Sequence, residues 1–130
     1  MAKKILMVDD EADVLKVFGK IIRSWGYEVI AAASGKEAVE IAKNQNVDIV
    51  ILDYLMPGMD GITTLKEMRK INKEIPAIMF SACSDAEIIK STEKFGIILI
   101  PKLSRYQDTQ ATLKVIIQTI CEKLDNQNFK

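Results

Sequence analysis

The chain has 130 residues, of which 48% are hydrophobic and 28% charged, a balance typical of one soluble globular domain with its own core. Lysine plus arginine and aspartate plus glutamate each number 18, and the resulting net charge of zero argues against a nucleic-acid-binding module. No apolar run is long enough to span a membrane, histidine is absent, and the 2 cysteines form no disulfide or metal-type pattern. We therefore expect a cytoplasmic protein without histidine-ligated metals or Ser-His-Asp catalysis.

Five short apolar runs, each followed by a pattern of helical spacing, divide the chain. The predicted strands are residues 5–8, 28–32, 49–52, 77–80 and 97–100. The first helix carries apolar residues on one face from Val14 to Trp25 and should end at Gly26. Ser34, with Glu37 three residues later, forms a capping-box pattern at the start of the second helix.

Capping residues and apolar faces predict the remaining helices. Asp60 is positioned to cap the third helix, and Ser84 or Asp85 the fourth. The residues expected to face the core in the last three helices are Leu65, Met68 and Ile71, then Ile88, Ile89 and Phe95, then Leu113, Ile116, Ile117, Ile120 and Leu124. We expect one domain over residues 1–124 and a polar, frayed tail over residues 125–130.

This alternation of strands and helices predicts an α/β fold with a parallel sheet and helices on both faces. The expected arrangement is flavodoxin-like (βα)5 with the strand order 2-1-3-4-5, a known order for doubly wound sheets. In such sheets, ligands bind beyond the carboxyl ends of the strands. Polar residues at those ends are therefore the candidates for function.

The most informative stretch is residues 48–61. Its strand, residues 49–52, is apolar without a break, as expected for a strand buried on both faces, and it ends on Asp53. Pro57-Gly58 then turns the chain, because proline presets φ and glycine accepts a positive φ. Asp53 alone would also suit a simple turn, so its role depends on the other strand ends.

Polar residues follow four of the predicted strands. They are Asp9 and Asp10, then Asp53, then Ser81, then Lys102. Each has an ordinary alternative as a cap, a turn residue or a solvated lysine, but their convergence on one sheet edge favours a shared site. Three carboxylates would repel one another, and Mg²⁺ would relieve that repulsion. One carboxylate could then attack phosphorus to give an aspartyl phosphate, with Lys102 and the Ser81 hydroxyl binding the phosphoryl oxygens.

Four motifs make the chain resemble a receiver domain of a two-component response regulator over about residues 3–124. They are Val8-Asp9-Asp10-Glu11, Asp53-Tyr-Leu-Met-Pro-Gly-Met-Asp-Gly61, Phe80-Ser81-Ala82 and Lys102. The resemblance implies that a histidine kinase or phosphotransfer protein phosphorylates Asp53, and that Ser81 and Lys102 bind the phosphoryl group. It further implies that Asp10, Asp53 and the backbone carbonyl of Leu55 ligate Mg²⁺, with Asp9 acting mostly through water. Such a chain is a signalling module that catalyses only its own phosphorylation and slow dephosphorylation.

The chain departs from the receiver pattern around its predicted switch. Leu99 stands where the family often has an aromatic switch residue, and Leu103 follows Lys102 in place of the usual proline. Without proline we expect a trans Lys102–Leu103 bond, since a cis bond would cost about 2.5–4 kcal/mol. Leu55 and Cys83, two residues after Asp53 and Ser81, are apolar and flank the predicted phosphoryl site. These departures bear on switching and on the phosphate lifetime, not on the acceptor chemistry.

The resemblance also implies a signalling surface formed by helix 4, strand 5 and helix 5, roughly residues 84–124. Ser81 and Leu99 would form the switch, and the surface would bind a downstream protein or a second copy of the chain. Because Leu99 has no ring to turn, we expect this binding to be partly present without phosphate.

Other functions fit the sequence less well or equally well. The chain could be a stand-alone regulator, or a receiver from a longer DNA-binding regulator or hybrid kinase, and the sequence does not separate these. A Mg²⁺-dependent phosphatase with an aspartyl nucleophile is disfavoured, because the candidate nucleophile follows the third strand and no capping insertion encloses a substrate. A scaffold that no longer takes phosphate is disfavoured by the full set of acidic residues and Lys102.

Overall fold

The computed structural model describes residues 2–82, 85–102 and 105–128, apart from the side chains of Tyr106 and Asn128. Strands and helices alternate through these residues. The strands are β1 (Lys4–Val8), β2 (Glu28–Ala32), β3 (Ile49–Leu52), β4 (Ala77–Ser81) and β5 (Ile98–Pro101). The helices are α1 (Ala12–Ser24), α2 (Gly35–Asn44), α3 (Gly61–Ile71), α4 (Ala86–Lys94) and α5 (Tyr106–Asn128).

The strands form one parallel sheet in the order β2-β1-β3-β4-β5, which confirms the predicted flavodoxin-like topology. The register aligns Val8 of β1 with Leu52 of β3, and Ser81 of β4 with Pro101 of β5. The carboxyl ends of these four strands therefore reach the same edge of the sheet. Whatever follows each strand is brought to that edge.

Both faces of the sheet are covered, because successive residues of a strand point to opposite faces. One core layer includes Leu6, Val8, Val50, Leu52 and Met79 together with Ala38, Leu65 and Met68 from the α2 and α3 side. The other includes Ile5, Met7, Ile51, Ile78 and Phe80 together with Phe18 and Ile117 from the α1 and α5 side. This double covering explains why β1, β3 and β4 are continuous apolar runs.

Three of the predicted helix caps are present. Ser34 Oγ accepts from the backbone N–H of Glu37 at 3.2 Å, and Asp60 Oδ1 from that of Thr63 at 2.8 Å. At α4 the cap is Asp85, whose Oδ1 accepts from the backbone N–H of Ile88 at 3.0 Å. The alternative cap, Ser84, lies outside the described residues.

Two isoleucines predicted to face the core are instead exposed. Ile89 is 41% exposed because it follows the buried Ile88, and adjacent helical residues point about 100° apart. Ile71 is 43% exposed at the last residue of α3. The apolar faces of these two helices are therefore narrower than the sequence predicts.

The last two elements differ slightly in extent from the prediction. Strand β5 begins at Ile98, because the Ile97 N–H donates to the Thr92 carbonyl and closes α4. Helix α5 continues through Asn128, past Leu124, where the sequence predicted a frayed tail. An ion pair of 3.0 Å joins Asp125 in this last segment to Lys3. Among the described residues, no helix combines the length and apolar character that a membrane crossing requires.

Candidate functional site

Asp53 directly follows the central strand β3 and is 5% exposed. Its backbone N–H donates to the Val8 carbonyl at 2.9 Å, which extends the ladder to β1 by one residue. The following loop turns at Gly58, whose φ of 82° requires glycine, and returns so that the Gly61 N–H donates to the Tyr54 carbonyl at 2.9 Å. A Cβ atom at Gly61 would meet the Asp53 carbonyl oxygen. This close approach fixes the backbone on both sides of Asp53.

Asp9 and Asp10 follow β1 and face Asp53 across the sheet edge. Asp9 is buried, with its Oδ1 accepting from the Glu11 N–H at 2.9 Å and its Oδ2 lying 2.6 Å from Lys102 Nζ. Asp10 is exposed. One carboxylate oxygen from each of Asp9, Asp10 and Asp53 lies within 4.8 Å of the other two. The predicted acidic cluster is therefore present, with Asp9 already engaged by protein groups.

Lys102 follows β5, and its side chain crosses the sheet edge toward β1 and β3. Its Nζ lies 3.2 Å from Asp53 Oδ2 and 3.8 Å from Glu11 Oε1, in addition to the contact with Asp9. The side chain is only 11% exposed. Its backbone N–H donates to the Ser81 carbonyl at 2.8 Å, so the β4–β5 pairing itself sets where the lysine begins.

Ser81 and Leu99 lie where the sequence placed them. Ser81 is the last residue of β4 and is 1% exposed. Leu99 is half-buried in β5 and packs against the core layer on the α2 and α3 side. Leu55, two residues after Asp53, is 55% exposed. Cys83 and the Lys102–Leu103 bond, predicted to be trans, lie outside the described residues.

The charges of the cluster are not balanced. Burial raises the pKa of Asp53, and the negative charges of Asp9 and Asp10 add to that effect, while Lys102 opposes it. Burial acts to lower the pKa of Lys102, but its contacts with Asp9 and Asp53 outweigh burial and raise it. The cluster thus holds three carboxylates, of which Asp9 and Asp53 contact the one ammonium, and this excess of hard oxygen ligands fits a small divalent cation.

Two neighbours of the site had no role in the sequence prediction. Glu11 adds a further carboxylate near Lys102, and the Phe80 ring centroid lies 5.7 Å from Lys102 Nζ. Both belong to motifs that the sequence singled out. Their contacts with Lys102 depend on the direction that the lysine side chain takes from the end of β5. The spacing of residues in the sequence does not reveal that direction.

Comparisons with known proteins agree with this geometry. The family model "Response regulator receiver domain" matches residues 5–114. Two curated relatives are ZraR, a transcriptional regulatory protein of Escherichia coli, and sporulation initiation phosphotransferase F of Bacillus subtilis. ZraR is 38% identical over 85% of this chain and 25% of its own length, and the phosphotransferase is 34% identical over 74% of this chain and 77% of its own. The chain thus spans about a quarter of ZraR.

A solved structure shows the same fold. CheY of Borrelia burgdorferi, in a complex with CheX, BeF3 and Mg²⁺, superimposes with a TM-score of 0.81 at 34% identity. The match covers 91% of this chain and 88% of that one. The chain therefore belongs to the response regulator receiver domain family, and it is a phospho-accepting signalling module of two-component systems.

Proposed function

We propose that Asp53 accepts the phosphoryl group and that Ser81 and Lys102 bind it. The observation that carries this proposal is the position of Lys102 Nζ, 3.2 Å from Asp53 Oδ2 at the buried end of the central strand. An ammonium there can neutralise the phosphoryl oxygens as charge develops on them. Ser81, at the end of the adjacent strand β4, has a hydroxyl that can donate to one of those oxygens.

In the proposed step, an Asp53 carboxylate oxygen forms a bond to the phosphorus of a phosphohistidine on the donor protein. The bond between phosphorus and the imidazole nitrogen breaks, the nitrogen keeps the electron pair, and the imidazole takes up a proton from solvent. The product is an aspartyl phosphate, which water hydrolyses slowly. These 130 residues contain no histidine, so the phosphohistidine lies outside them, on a histidine kinase or a phosphotransfer protein. The chain is a signalling module and not an enzyme, because the chemistry stays on its own side chain.

The acidic cluster fits Mg²⁺, which we propose as the cofactor. Asp9 uses Oδ1 for the Glu11 N–H and Oδ2 for Lys102. Asp10 and Asp53 would therefore ligate the ion directly, together with the backbone carbonyl of Leu55, and Asp9 would act through water. When bound, Mg²⁺ supplies positive charge that reduces the repulsion between the carboxylates and the incoming phosphoryl oxygens.

The acceptor assignment is tested by intact mass after incubation with acetyl phosphate and Mg²⁺. We expect a phosphate-sized gain in the wild type and none in Asp53→Asn. Asp60→Asn is the matched control, because asparagine caps a helix as well as aspartate does and this carboxylate lies outside the cluster. Equal labelling of Asp53→Asn would overturn the acceptor assignment, and full labelling of the wild type in excess chelator would overturn the need for Mg²⁺.

We further propose that α4, β5 and α5 form the surface that binds a downstream protein or a second copy of the chain. Each of these elements presents an exposed apolar residue: Ile89 is 41% exposed, Ile98 47% and Val115 60%. Single exposed apolar residues are ordinary, but three on neighbouring elements favour a protein contact. Leu99 lies on β5, within this surface, and Ser81 ends the adjacent strand β4; these two residues form the proposed switch.

The surface is tested by sedimentation of the chain with and without beryllium fluoride and Mg²⁺. We expect association that strengthens by less than about a hundredfold, which is roughly 2.7 kcal/mol, because Leu99 has no ring to turn into the core. Ile98→Lys should abolish association, whereas Ile71→Lys, similarly exposed on α3, should not. If the chain stays monomeric, Ile98→Lys and Ile71→Lys are compared for binding to the downstream protein. Equal effects of the two variants would overturn the proposal that α4, β5 and α5 form the binding surface.

The wider setting is also a proposal. A receiver that is part of a longer regulator is compatible with the share of ZraR that the chain spans. We propose a cytoplasmic location, which the free thiol of Cys121 supports. We also propose that these residues alone do not bind DNA, since their net charge is zero. Salt-sensitive, tight binding to a generic duplex would contradict this.

A further inference from the structure

Lys102 needs an anchor that survives the reaction. Its ammonium contacts Asp53, which becomes the phosphorylated side chain, and Asp9, which faces the proposed ion. Both partners therefore change their charge or surroundings when phosphate arrives. The backbone N–H bond to the Ser81 carbonyl fixes where the side chain begins, but not where its far end lies.

The Phe80 ring provides a contact whose charge the reaction does not alter, because the ring neither accepts phosphate nor binds the proposed ion. Lys102 Nζ lies 5.7 Å from the ring centroid, within the range of a cation–π interaction. Phe80 is 1% exposed and belongs to β4, where it pairs in register with Ile100, two residues before Lys102. The ring is therefore placed by the same strand pairing that places the lysine.

A second ring holds Phe80 in that orientation. Phe18 of α1 packs edge-on against it, with the ring centroids 5.0 Å apart and the planes at 77°. Edge-to-face packing is one of the two arrangements that aromatic pairs prefer. Phe18 is also 1% exposed, so both rings are enclosed by the core and have little room to reorient.

We propose that Phe80 is a positioning residue for Lys102: its ring face holds the ammonium at the phosphoryl site while the carboxylate contacts exchange. The inference rests on the proposed acceptor role of Asp53. The Phe80 ring would thus help to place the Lys102 side chain, a role that a proline after the lysine would otherwise have. The ring attracts the charge without forming a bond that must break when Lys102 shifts toward a phosphoryl oxygen.

The test replaces Phe80 with phenylalanines that carry an increasing number of fluorine atoms, introduced by nonsense suppression. Fluorine withdraws charge from the ring face and changes its volume little, so the series weakens the cation–π contact without opening a cavity. We expect the rate of phosphorylation by acetyl phosphate and Mg²⁺ to fall stepwise, by about twofold to thirtyfold over the series. The Mg²⁺ affinity should stay constant.

The same series at Phe18 is the matched control, because that ring has the same burial and packs in the same cluster, whereas Lys102 Nζ lies over the Phe80 ring. We expect no stepwise fall there. A second readout is the ring-current shift of the Lys102 ε-methylene protons, which Phe80→Leu should remove.

The outcomes separate the two proposals. A labelled wild type with a flat series at Phe80, or with equal slopes at both rings, overturns the positioning role alone. A ring-current shift that persists in Phe80→Leu overturns it as well. A wild type that takes no phosphate overturns the acceptor role of Asp53, and the positioning role with it.

Discussion

Two half-buried cations of this molecule, Lys102 and Arg69, have opposite surroundings. Lys102 contacts the carboxylates of Asp9 and Asp53, which raise its pKa although burial acts to lower it. Arg69 forms no ion pair within the described residues, and burial lowers its pKa. Its guanidinium instead donates to the carbonyl of Phe95 at 2.9 Å. The excess of carboxylates around Lys102 indicates a site that can bind further positive charge. The carbonyl partners of Arg69 indicate that this residue is a structural link between two parts of the fold.

The link made by Arg69 joins α3 to the end of α4. Phe95 is the C-cap of α4, and a guanidinium suits that position because it complements the negative end of the helix dipole. A second bond from Arg69, to the Ile75 carbonyl at 3.4 Å, fixes the segment that enters β4. Lys66, one turn earlier on α3, lies 5.6 Å from the Phe95 ring centroid. The C-terminal end of α4 is thus attached to α3, so we expect phosphate-dependent movement at its other end, nearer Ser81.

The largest expected effect is on the rate of phosphorylation, which should depend on Lys102 and not on Arg69. Lys102→Met should slow phosphorylation by acetyl phosphate by about a hundredfold or more, the usual cost of removing one group that stabilises charge in the transition state. Arg69→Met should label at the wild-type rate, because its partners lie outside the acidic cluster. Time courses of intact mass measure both. A Lys102→Met rate within threefold of the wild type would contradict a role for this ammonium in the transfer.

The second prediction concerns the free energy of unfolding, to which Arg69 should contribute as a structural link. Arg69→Met should lower the free energy of unfolding by about 1–3 kcal/mol, because two carbonyl groups lose their charged donor. Lys70→Met is the matched control on the same helix. Lys70 is exposed and, within the part of the chain that the structure describes, its ion pair is with Glu67 at the surface, so its loss should cost less than about 0.5 kcal/mol. Urea unfolding of both variants provides the measurement, and equal losses would show that Arg69 is no structural link.

The two cations also differ in how far the sequence predicted them. Lys102 was predicted with Asp9, Asp10, Asp53 and Ser81, because the strand order of a parallel sheet brings strand ends together regardless of side-chain detail. The link made by Arg69 was not predicted. Its acceptors are main-chain carbonyls, which every residue carries, so no residue pattern marks them.

The same limit explains the other misses. The exposure of Ile89 and Ile71 depends on how α4 and α3 rotate on the sheet, which apolar spacing defines only to within a residue. The contact between Phe80 and Lys102 depends on the path of a long side chain across two strands. Topology follows from the sequence here, whereas helix rotation and side-chain paths are set by tertiary packing.

The third prediction concerns the binding of Mg²⁺ by the carboxylates around Lys102. Asp10→Asn should weaken Mg²⁺ binding by about tenfold or more, because the exposed Asp10 is a proposed direct ligand. Asp13→Asn is the control, since Asp13 is an exposed carboxylate in the first turn of α1 outside the cluster. Calorimetric titration with Mg²⁺ measures both. Unchanged affinity in Asp10→Asn would remove this residue from the ion site.

The smallest effect tests whether the excess charge beside Lys102 costs stability. The pKa of Asp53 is raised above its ordinary value of about 3.9, so in the metal-free protein the folded state holds this proton more tightly than the unfolded state does. The contribution of Asp53 to stability is therefore full below the unfolded pKa and is lost as the pH rises through the folded pKa. Asp53→Asn should stabilise the metal-free protein at pH 7, and this gain should shrink as the pH falls from the folded pKa of Asp53 toward its unfolded pKa. Urea unfolding in chelator at several pH values provides the measurement. A destabilised Asp53→Asn at pH 7 would mean that Lys102 fully compensates Asp53, and the contrast with Arg69 would then reflect the kind of partner and not an excess of charge.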